Sequence, residues 1–239
     1  MPPNTAWDWQ PIGFIHSCYK EKFGIPRQPG LVTAAQAQLH VLPAFSSPEA
    51  FRGLEQFSHL WVIFCFNATQ QAGWSATVRP PRLGGNKRLG VFATRSMFRP
   101  NPFGLSVVKL ERVEVAGAAV VLHLSGIDML DGTPVMDIKP YVPYADCLPD
   151  AVGGFADEAP PAALSVGFTG LAAMQCKQKS LQWQVDMAVL VQQILSQDPR
   201  PSYRVEGADV RRYAMRLYDF DLRWHYVGAG IEVLELADV

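Results

Sequence analysis

Val107–Leu124 reads VVKLERVEVAGAAVVLHL. Two β-rich runs, Val107–Val115 and Ala119–Leu124, flank Gly117. Valine's branched Cβ suits the pleated surface of a strand, and a glycine between two such runs accommodates a tight reversal. The stretch therefore predicts a β-hairpin. Toward the N-terminus lie a short strand at Ile12–His16 and another at Leu39–Leu42. His59–Phe66, HLWVIFCF, is a continuous apolar run of strand length, the pattern of a strand buried on both faces. Toward the C-terminus, Asp131-Gly132 marks a turn, and Val135–Tyr141 reads as a strand ended by Pro140.

Short strands separated by Gly and Pro turns point to a small barrel or sandwich. At most two helices are expected in the first 145 residues, one of them opening at Ser47-Pro48-Glu49 and ending at Gly53. That is too few for repeated βαβ units. Gly85 and Gly90 have P-loop spacing, but Val91-Phe92 stands where Lys-Ser/Thr is required, and no GxGxxG opens a helix. A Rossmann or other mononucleotide fold is disfavoured.

The composition changes to Ala, Pro, Gly and acidic residues at 149–164, which reads as a linker between a domain at 1–148 and a second at 165–239. In the second unit, Trp183, Met187, Leu190, Val191 and Ile194 give Gln178–Gln197 one helical packing face, stopped by Asp198-Pro-Arg-Pro. Arg212–Tyr226 alternates aromatic and apolar residues with charged ones, and Gly228-Ala-Gly230 turns it into Ile231–Leu236. The expected second domain is a small α+β unit.

The whole chain has 239 residues, 49% of them hydrophobic and 18% charged, which excludes a disordered chain. No apolar run approaches the roughly 20 residues that cross a bilayer. The start lacks a basic segment followed by an apolar one, so no signal peptide is expected. Cys18, Cys65, Cys147 and Cys176 lie far apart with no CxxC, and the histidines show no metal-ligand spacing. Reduced thiols, a cytoplasmic location, no membrane and no metal are the expectation.

Charge is the informative feature. Lys and Arg total 21 against 22 Asp and Glu, yet between Glu55 and Glu111 there is no acidic residue at all. That span holds Arg79, Arg82, Lys87, Arg88, Arg95, Arg99 and Lys109. A solvated loop explains one or two arginines. Seven cations among Gly, Pro, Asn and aromatics call for an anionic partner. Within the span, Pro100 and Pro102 flank Asn101 and stiffen the backbone that presents Arg99 and Asn101, a good foundation for a pre-formed site.

Four motifs, in order, resemble the TrmO (TsaA, YaeB) family. They are Pro26-Arg-Gln-Pro-Gly30, Arg79-Pro-Pro-Arg-Leu-Gly-Gly-Asn86, Gly90-Val-Phe-Ala-Thr-Arg-Ser-x-x-Arg-Pro-Asn-Pro102, and Asp131-Gly-Thr-Pro-x-x-Asp-Ile-Lys-Pro-Tyr141. The likeness continues through Gln197-Asp-Pro-Arg-Pro201 and Tyr218-Asp-Phe-Asp-Leu-Arg-Trp224, covering almost the whole chain. The resemblance implies an S-adenosylmethionine-dependent tRNA methyltransferase. It would act on N6 of threonylcarbamoyl-adenosine at position 37, beside the anticodon, mainly in threonine tRNAs. The implied fold is a β-barrel methyltransferase domain working as a homodimer, with the cofactor near the subunit interface.

Carried over by position, the implied cofactor contacts are Pro26, Arg27 and Gln28, then Asn67 and Ala68, Arg95, Leu105, and Ser125, Gly126, Ile127 and Asp128. The family commonly has His-Gln where this chain has Asn67-Ala68, which leaves backbone contacts there. Asp128 is suited to the ribose hydroxyls, whereas Asp131 is equally well a turn former. Asp137 and Lys139 share a strand face and suggest a cross-barrel ion pair.

Methyl transfer from a sulfonium needs in-line positioning more than covalent help. The N6 acceptor is a urea-type nitrogen, so a base or strong hydrogen-bond acceptor is expected beside it. Asn101-Pro102-Phe103 echoes the Asn/Asp-Pro-Pro-Tyr/Phe motif of other adenine-N6 methyltransferases. Arg99 suits the threonyl carboxylate through a guanidinium fork, and Arg79, Arg82, Lys87 and Arg88 suit anticodon-loop phosphates. Two other classes fit the basic stretch: a non-catalytic RNA-binding module, and an enzyme acting on a small anionic substrate.

Overall fold

The computed structural model describes residues 9–84, 86–159, 164–200 and 211–239. Gly85, residues 160–163 of the expected linker and the first eight residues lie outside these. Six strands close a barrel: β1 (Gly13–Ser17), β2 (Gln36–Val41), β3 (His59–Cys65), β6 (Phe103–Ala116), β7 (Ala119–Ser125) and β8 (Pro134–Pro140). Their order is β1-β2-β7-β6-β3-β8, and β8 pairs back onto β1 through Gly13↔Val135 and Phe14↔Pro134. The β6–β7 hairpin turns at Gly117, whose φ of +63° is the left-handed region that glycine enters without strain.

The two-residue period of the strands decides which side chains fill the barrel. Ile15, Leu39, Leu60, Val62, Val108, Leu122, Leu124 and Val135 are all essentially inaccessible, each stabilising the fold by about 1.5–3 kcal/mol. The strand at His59–Cys65 departs from its expected burial on both faces. Leu60, Val62 and Phe64 are buried, while His59, Trp61, Ile63 and Cys65 are half-buried on the outer face. A closed barrel has only one interior, so a continuous apolar run need not mean two covered faces. Gly104 lets β6 pass Phe64, because a Cβ there would lie 2.2 Å from the ring.

An arm leaves the barrel between β3 and β6. It carries the two-stranded hairpin β4 (Thr77–Val78) and β5 (Leu89–Gly90). Among the described residues, only the four-residue α1 (Pro143–Asp146) is α-helical in the N-terminal unit, the other helical segments being short 3₁₀ turns. The turn at Pro48–Phe51 lacks the expected Ser47 side-chain cap, and it is Ser46 that is buried, its hydroxyl accepting from Val120 N at 2.7 Å. Asp137 and Lys139 pair along one strand at 3.2 Å, both exposed to solvent, and do not cross the barrel.

The C-terminal unit is a sheet of order β10-β11-β12-β9, built from β9 (Ser165–Phe168), β10 (Arg212–Leu217), β11 (Phe220–Val227) and β12 (Gly230–Asp238). Two helices, α2 (Gly170–Trp183) and α3 (Met187–Ser196), replace the single expected helix at Gln178–Gln197. Gln184 at φ +53° breaks them apart, and the Asp186 carboxylate caps α3 by accepting from Val189 N at 3.1 Å. Met187, Leu190, Val191 and Ile194 are buried as expected, but Trp183 belongs to α2 and stacks on Tyr218 at 4.4 Å. The run Arg212–Tyr226 is likewise two strands, reversed at Tyr218-Asp219. The mainly β architecture, with a closed barrel followed by an α+β region, agrees with the sequence reading.

Candidate cofactor site and nucleic-acid interface

β7 ends at Ser125, and Gly126 (φ +71°) turns the chain toward Asp128. The Gly126 carbonyl accepts from Gly30 N at 2.8 Å, and Gly126 N donates to the Ala35 carbonyl at 2.9 Å. These bonds seat the Pro26–Gly30 loop against the end of β7. From the arm, Arg95 Nη1 donates to Gln28 Oε1 at 2.5 Å. Three stretches far apart in sequence thus converge on one place.

Asp128 is the acidic member of the group. The Ser106 hydroxyl, inward on β6, donates to its Oδ1 at 2.7 Å. Burial pushes the Asp128 carboxyl up to about 6, opposed by the Ser106 hydrogen bond and the Arg95 charge. A carboxyl balanced there is ionised at neutral pH and close to its proton, as residues in functional clefts often are.

The remaining expected contacts divide into two groups. Pro26 is buried, Arg27 exposed and Gln28 half-buried. Asn67 and Ala68 are exposed in a 3₁₀ turn, and the Ala68 carbonyl accepts from Lys22 Nζ at 2.7 Å. Leu105 stands on the outer face of β6, in register with Ile63 and 52% exposed. Ile127 is wholly buried and fixes the turn by packing. The buried Ser125 hydroxyl donates to Glu111 Oε1 at 2.5 Å, so its proton is already committed.

Arg99 is partly committed to its own loop. Its Nη1 donates to the carbonyls of Val91 (3.1 Å) and Thr94 (2.8 Å), with the guanidinium carbon 5.4 Å from the Phe92 ring centre. Asn101 is exposed, and its carbonyl accepts from Phe103 N at 2.8 Å, a tight bend between the two prolines.

The basic arm presents Arg79, Arg82, Lys87 and Arg88 to solvent. Arg82 donates to the Glu158 carbonyl and Arg88 Nη1 to the Thr77 hydroxyl at 3.3 Å. Among the described residues no carboxylate lies within ion-pair reach of these four, nor of Arg95 or Arg99, whereas Lys109 pairs with Glu111 at 3.0 Å. Concentrated, unneutralised positive charge is an electrostatic footprint for a polyanion.

Sequence reasoning missed Ser106 and Lys22, whose roles come from partners 22 and 46 residues away. Asp131 has a structural role: Oδ1 accepts from Ser17 N at 2.9 Å and Oδ2 pairs with Lys20 at 2.8 Å. The cysteines are unpaired, and the described residues contain no His, Cys, Asp or Glu cluster able to hold a metal. No described helix is long and apolar enough to cross a membrane.

Comparison with known proteins places this geometry in a family. The tRNA-methyltransferase O N-terminal domain matches residues 14–147, and the TrmO C-terminal domain matches 161–239. The chain is 47% identical over 232 residues to the tRNA (adenine(37)-N6)-methyltransferase of Escherichia coli, covering 97% of this chain and 98% of that one. It is 51% identical over 228 residues to a Pseudomonas aeruginosa protein named as an S-adenosylmethionine-dependent methyltransferase, covering 95% and 96%. The crystal structure of TrmO from Pseudomonas aeruginosa superposes with a TM-score of 0.81 at 45% identity, covering 98% of this chain and 99% of that one. On these matches to both halves of the chain, the protein belongs to the tRNA-methyltransferase O family.

Proposed function

We propose that this protein is an S-adenosylmethionine-dependent tRNA methyltransferase acting on N6 of the adenosine at position 37, the activity named for its Escherichia coli relative. The finer proposal, from the sequence motifs, is that this adenosine already carries a threonylcarbamoyl group, chiefly in threonine tRNAs. The observation that carries the reading is the meeting of Gln28, Arg95 and Asp128 at the root of an arm whose cations have no carboxylate in ion-pair reach among the described residues.

The residues fit the cofactor's chemistry. Gly30 and Gly126 bring two bare backbones together, the open edge that a flat adenosine needs, and Asp128 keeps one oxygen free of Ser106 for ribose hydroxyls. Arg27 and Arg95 are cations suited to the methionyl carboxylate, and Pro26, Asn67, Ala68, Leu105, Ser125 and Ile127 are the further contacts that the resemblance carries over by position. When bound, the cofactor supplies an electrophilic methyl on a sulfonium.

The chain's own contribution is positioning. Arg99 braces the 91–94 turn through Nη1 and offers the rest of its guanidinium to the threonyl carboxylate. Asn101, held on a proline-stiffened bend, offers its side-chain oxygen to the N6 proton. Arg79, Arg82, Lys87 and Arg88 hold anticodon-loop phosphates without reading sequence. A homodimer in the cytoplasm completes the proposal.

Calorimetry with S-adenosylmethionine and tRNA gel shifts at two salt concentrations test it. The reading requires cofactor binding together with salt-sensitive tRNA affinity. A non-catalytic RNA-binding module would shift tRNA without binding cofactor. An enzyme on a small anion would show no salt-sensitive affinity for tRNA.

A further inference from the structure

The Pro26–Gly30 loop belongs to the long connection between β1 and β2, and the C-terminal unit grips that connection on both sides of it. Before the loop, Tyr218 N donates to the Cys18 carbonyl at 2.9 Å and Tyr19 bridges Leu217 in antiparallel register. The backbone of Arg216 donates to Glu21 Oε1 at 3.0 Å. Phe23 stacks on Trp224, rings 6.0 Å apart and 4° from parallel. Gly24, at φ +83°, lies so close to Met215 that a Cβ would sit 2.4 Å from its Cε. After the loop, Gln193 of α3 accepts from Ala34 N at 2.9 Å through Oε1 and donates to the Thr33 hydroxyl at 3.0 Å through Nε2.

The loop is therefore an arch. Both feet stand on the C-terminal unit, at Phe23-Gly24 and Thr33-Ala34, and the crown touches the end of β7 through Gly30–Gly126 and the arm through Gln28–Arg95. Gly24 at one foot and Gly30 in the crown would otherwise leave the arch many conformations. Fixing the feet removes that freedom before a ligand arrives, which strengthens binding without any new ligand contact.

We propose that the C-terminal unit positions the cofactor loop, with Gln193 and Phe23 as positioning residues for S-adenosylmethionine. The proposal rests on the reading of Pro26–Gly30 as part of the cofactor site, and the test separates the two. It uses the full chain with Gln193→Leu, which keeps the bulk of the side chain but removes the acceptor. Gln193→Glu keeps an acceptor for Ala34 N, Phe23→Leu removes the stacked ring, and Gln28→Ala and Arg95→Ala probe the cofactor site directly.

Gln193→Leu and Phe23→Leu should raise the KM for S-adenosylmethionine about three- to tenfold, the scale of one hydrogen bond or ring contact. The kcat at saturating cofactor and the tRNA Kd should stay within about twofold of the unmodified chain, and Gln193→Glu should restore the KM. Hydrogen exchange at Arg27, Gln28 and Gly30 should quicken in Gln193→Leu while the barrel strands keep their protection. A raised KM in Gln28→Ala and Arg95→Ala, with an unchanged KM in Gln193→Leu and Phe23→Leu, overturns the positioning role and leaves the cofactor site standing. So does a lower melting temperature in Gln193→Leu with the KM unmoved, since that is a structural contact only. An unchanged KM in Gln28→Ala and Arg95→Ala as well overturns the cofactor site and this inference together.

Discussion

Asp128 couples stability to pH through one largely buried carboxyl group, and the proposed cofactor role couples it to binding as well. Burial holds it up to about 6 against an ordinary value of 3.8. Because the folded value is raised, the group's contribution to stability is fully present below 3.8 and is lost as the pH rises through about 6. Asp128→Asn should therefore melt increasingly above the unmodified chain between those limits. Cofactor binding should run the other way, since the ionised form is the better acceptor for ribose hydroxyls. Affinity for S-adenosylmethionine should fall as the pH drops through about 6, and Asp128→Asn should bind weakly with a flat pH profile. Titration calorimetry and thermal melting across that range check both; a flat profile in the unmodified chain would remove Asp128 from the site. Arg95 was singled out because it sits in a motif, and Asp128 only by its position in the resemblance. Ser106 was not, since a lone serine between Leu105 and Val107 signals nothing until pairing aims it at the carboxylate.

Among the elements, the β6–β7 hairpin was readable from valine runs around a glycine, but the start of β6 was not. Proline at 102 reads as a breaker, yet the strand begins at the next residue and carries Leu105 onto the barrel wall. Periodicity also runs across breaks. Trp183 and Met187 keep helical spacing over the reversal at Gln184, and Tyr218 keeps strand alternation through a turn at φ +45°. Neither left-handed residue is a glycine, so the usual signal was missing. Gly104→Ala tests how tightly β6 is seated: a Cβ 2.2 Å from Phe64 must displace the ring, at a cost of about 1–3 kcal/mol by chemical denaturation. A change near zero would mean that the ring moves freely. The arm makes a different prediction. Lys87→Ala and Arg88→Ala should weaken tRNA binding and flatten its salt slope by about one unit per lost phosphate contact, with cofactor affinity unchanged. Loss of cofactor affinity instead would exchange the ligands assigned to the two ends of the basic stretch.

For the whole molecule, the sequence separated a β-rich half from an α+β half but could not show that they share one buried core. Cys18 and Tyr19 of the first half lie in it with Met215, Leu217 and Trp224 of the second. Such contacts join residues about 200 positions apart and leave no local pattern. The charge desert was visible in the sequence, and the fold shows where it lies: the arm exposes its cations, while Asp128 at the barrel end is close enough to feel the charge of Arg95. The central claim is that these parts transfer a methyl group to an already modified adenosine. Its most direct measurement is transfer of labelled methyl from S-adenosylmethionine to threonine-accepting tRNA purified from cells, beside the same sequence transcribed in vitro, followed by nucleoside analysis. The account predicts label in the N6-methylated threonylcarbamoyl nucleoside of the cellular tRNA, none in the transcript, and a slower rate with Arg99→Lys, whose ammonium cannot form the bidentate fork. Equal labelling of both tRNAs, or of neither, would contradict it.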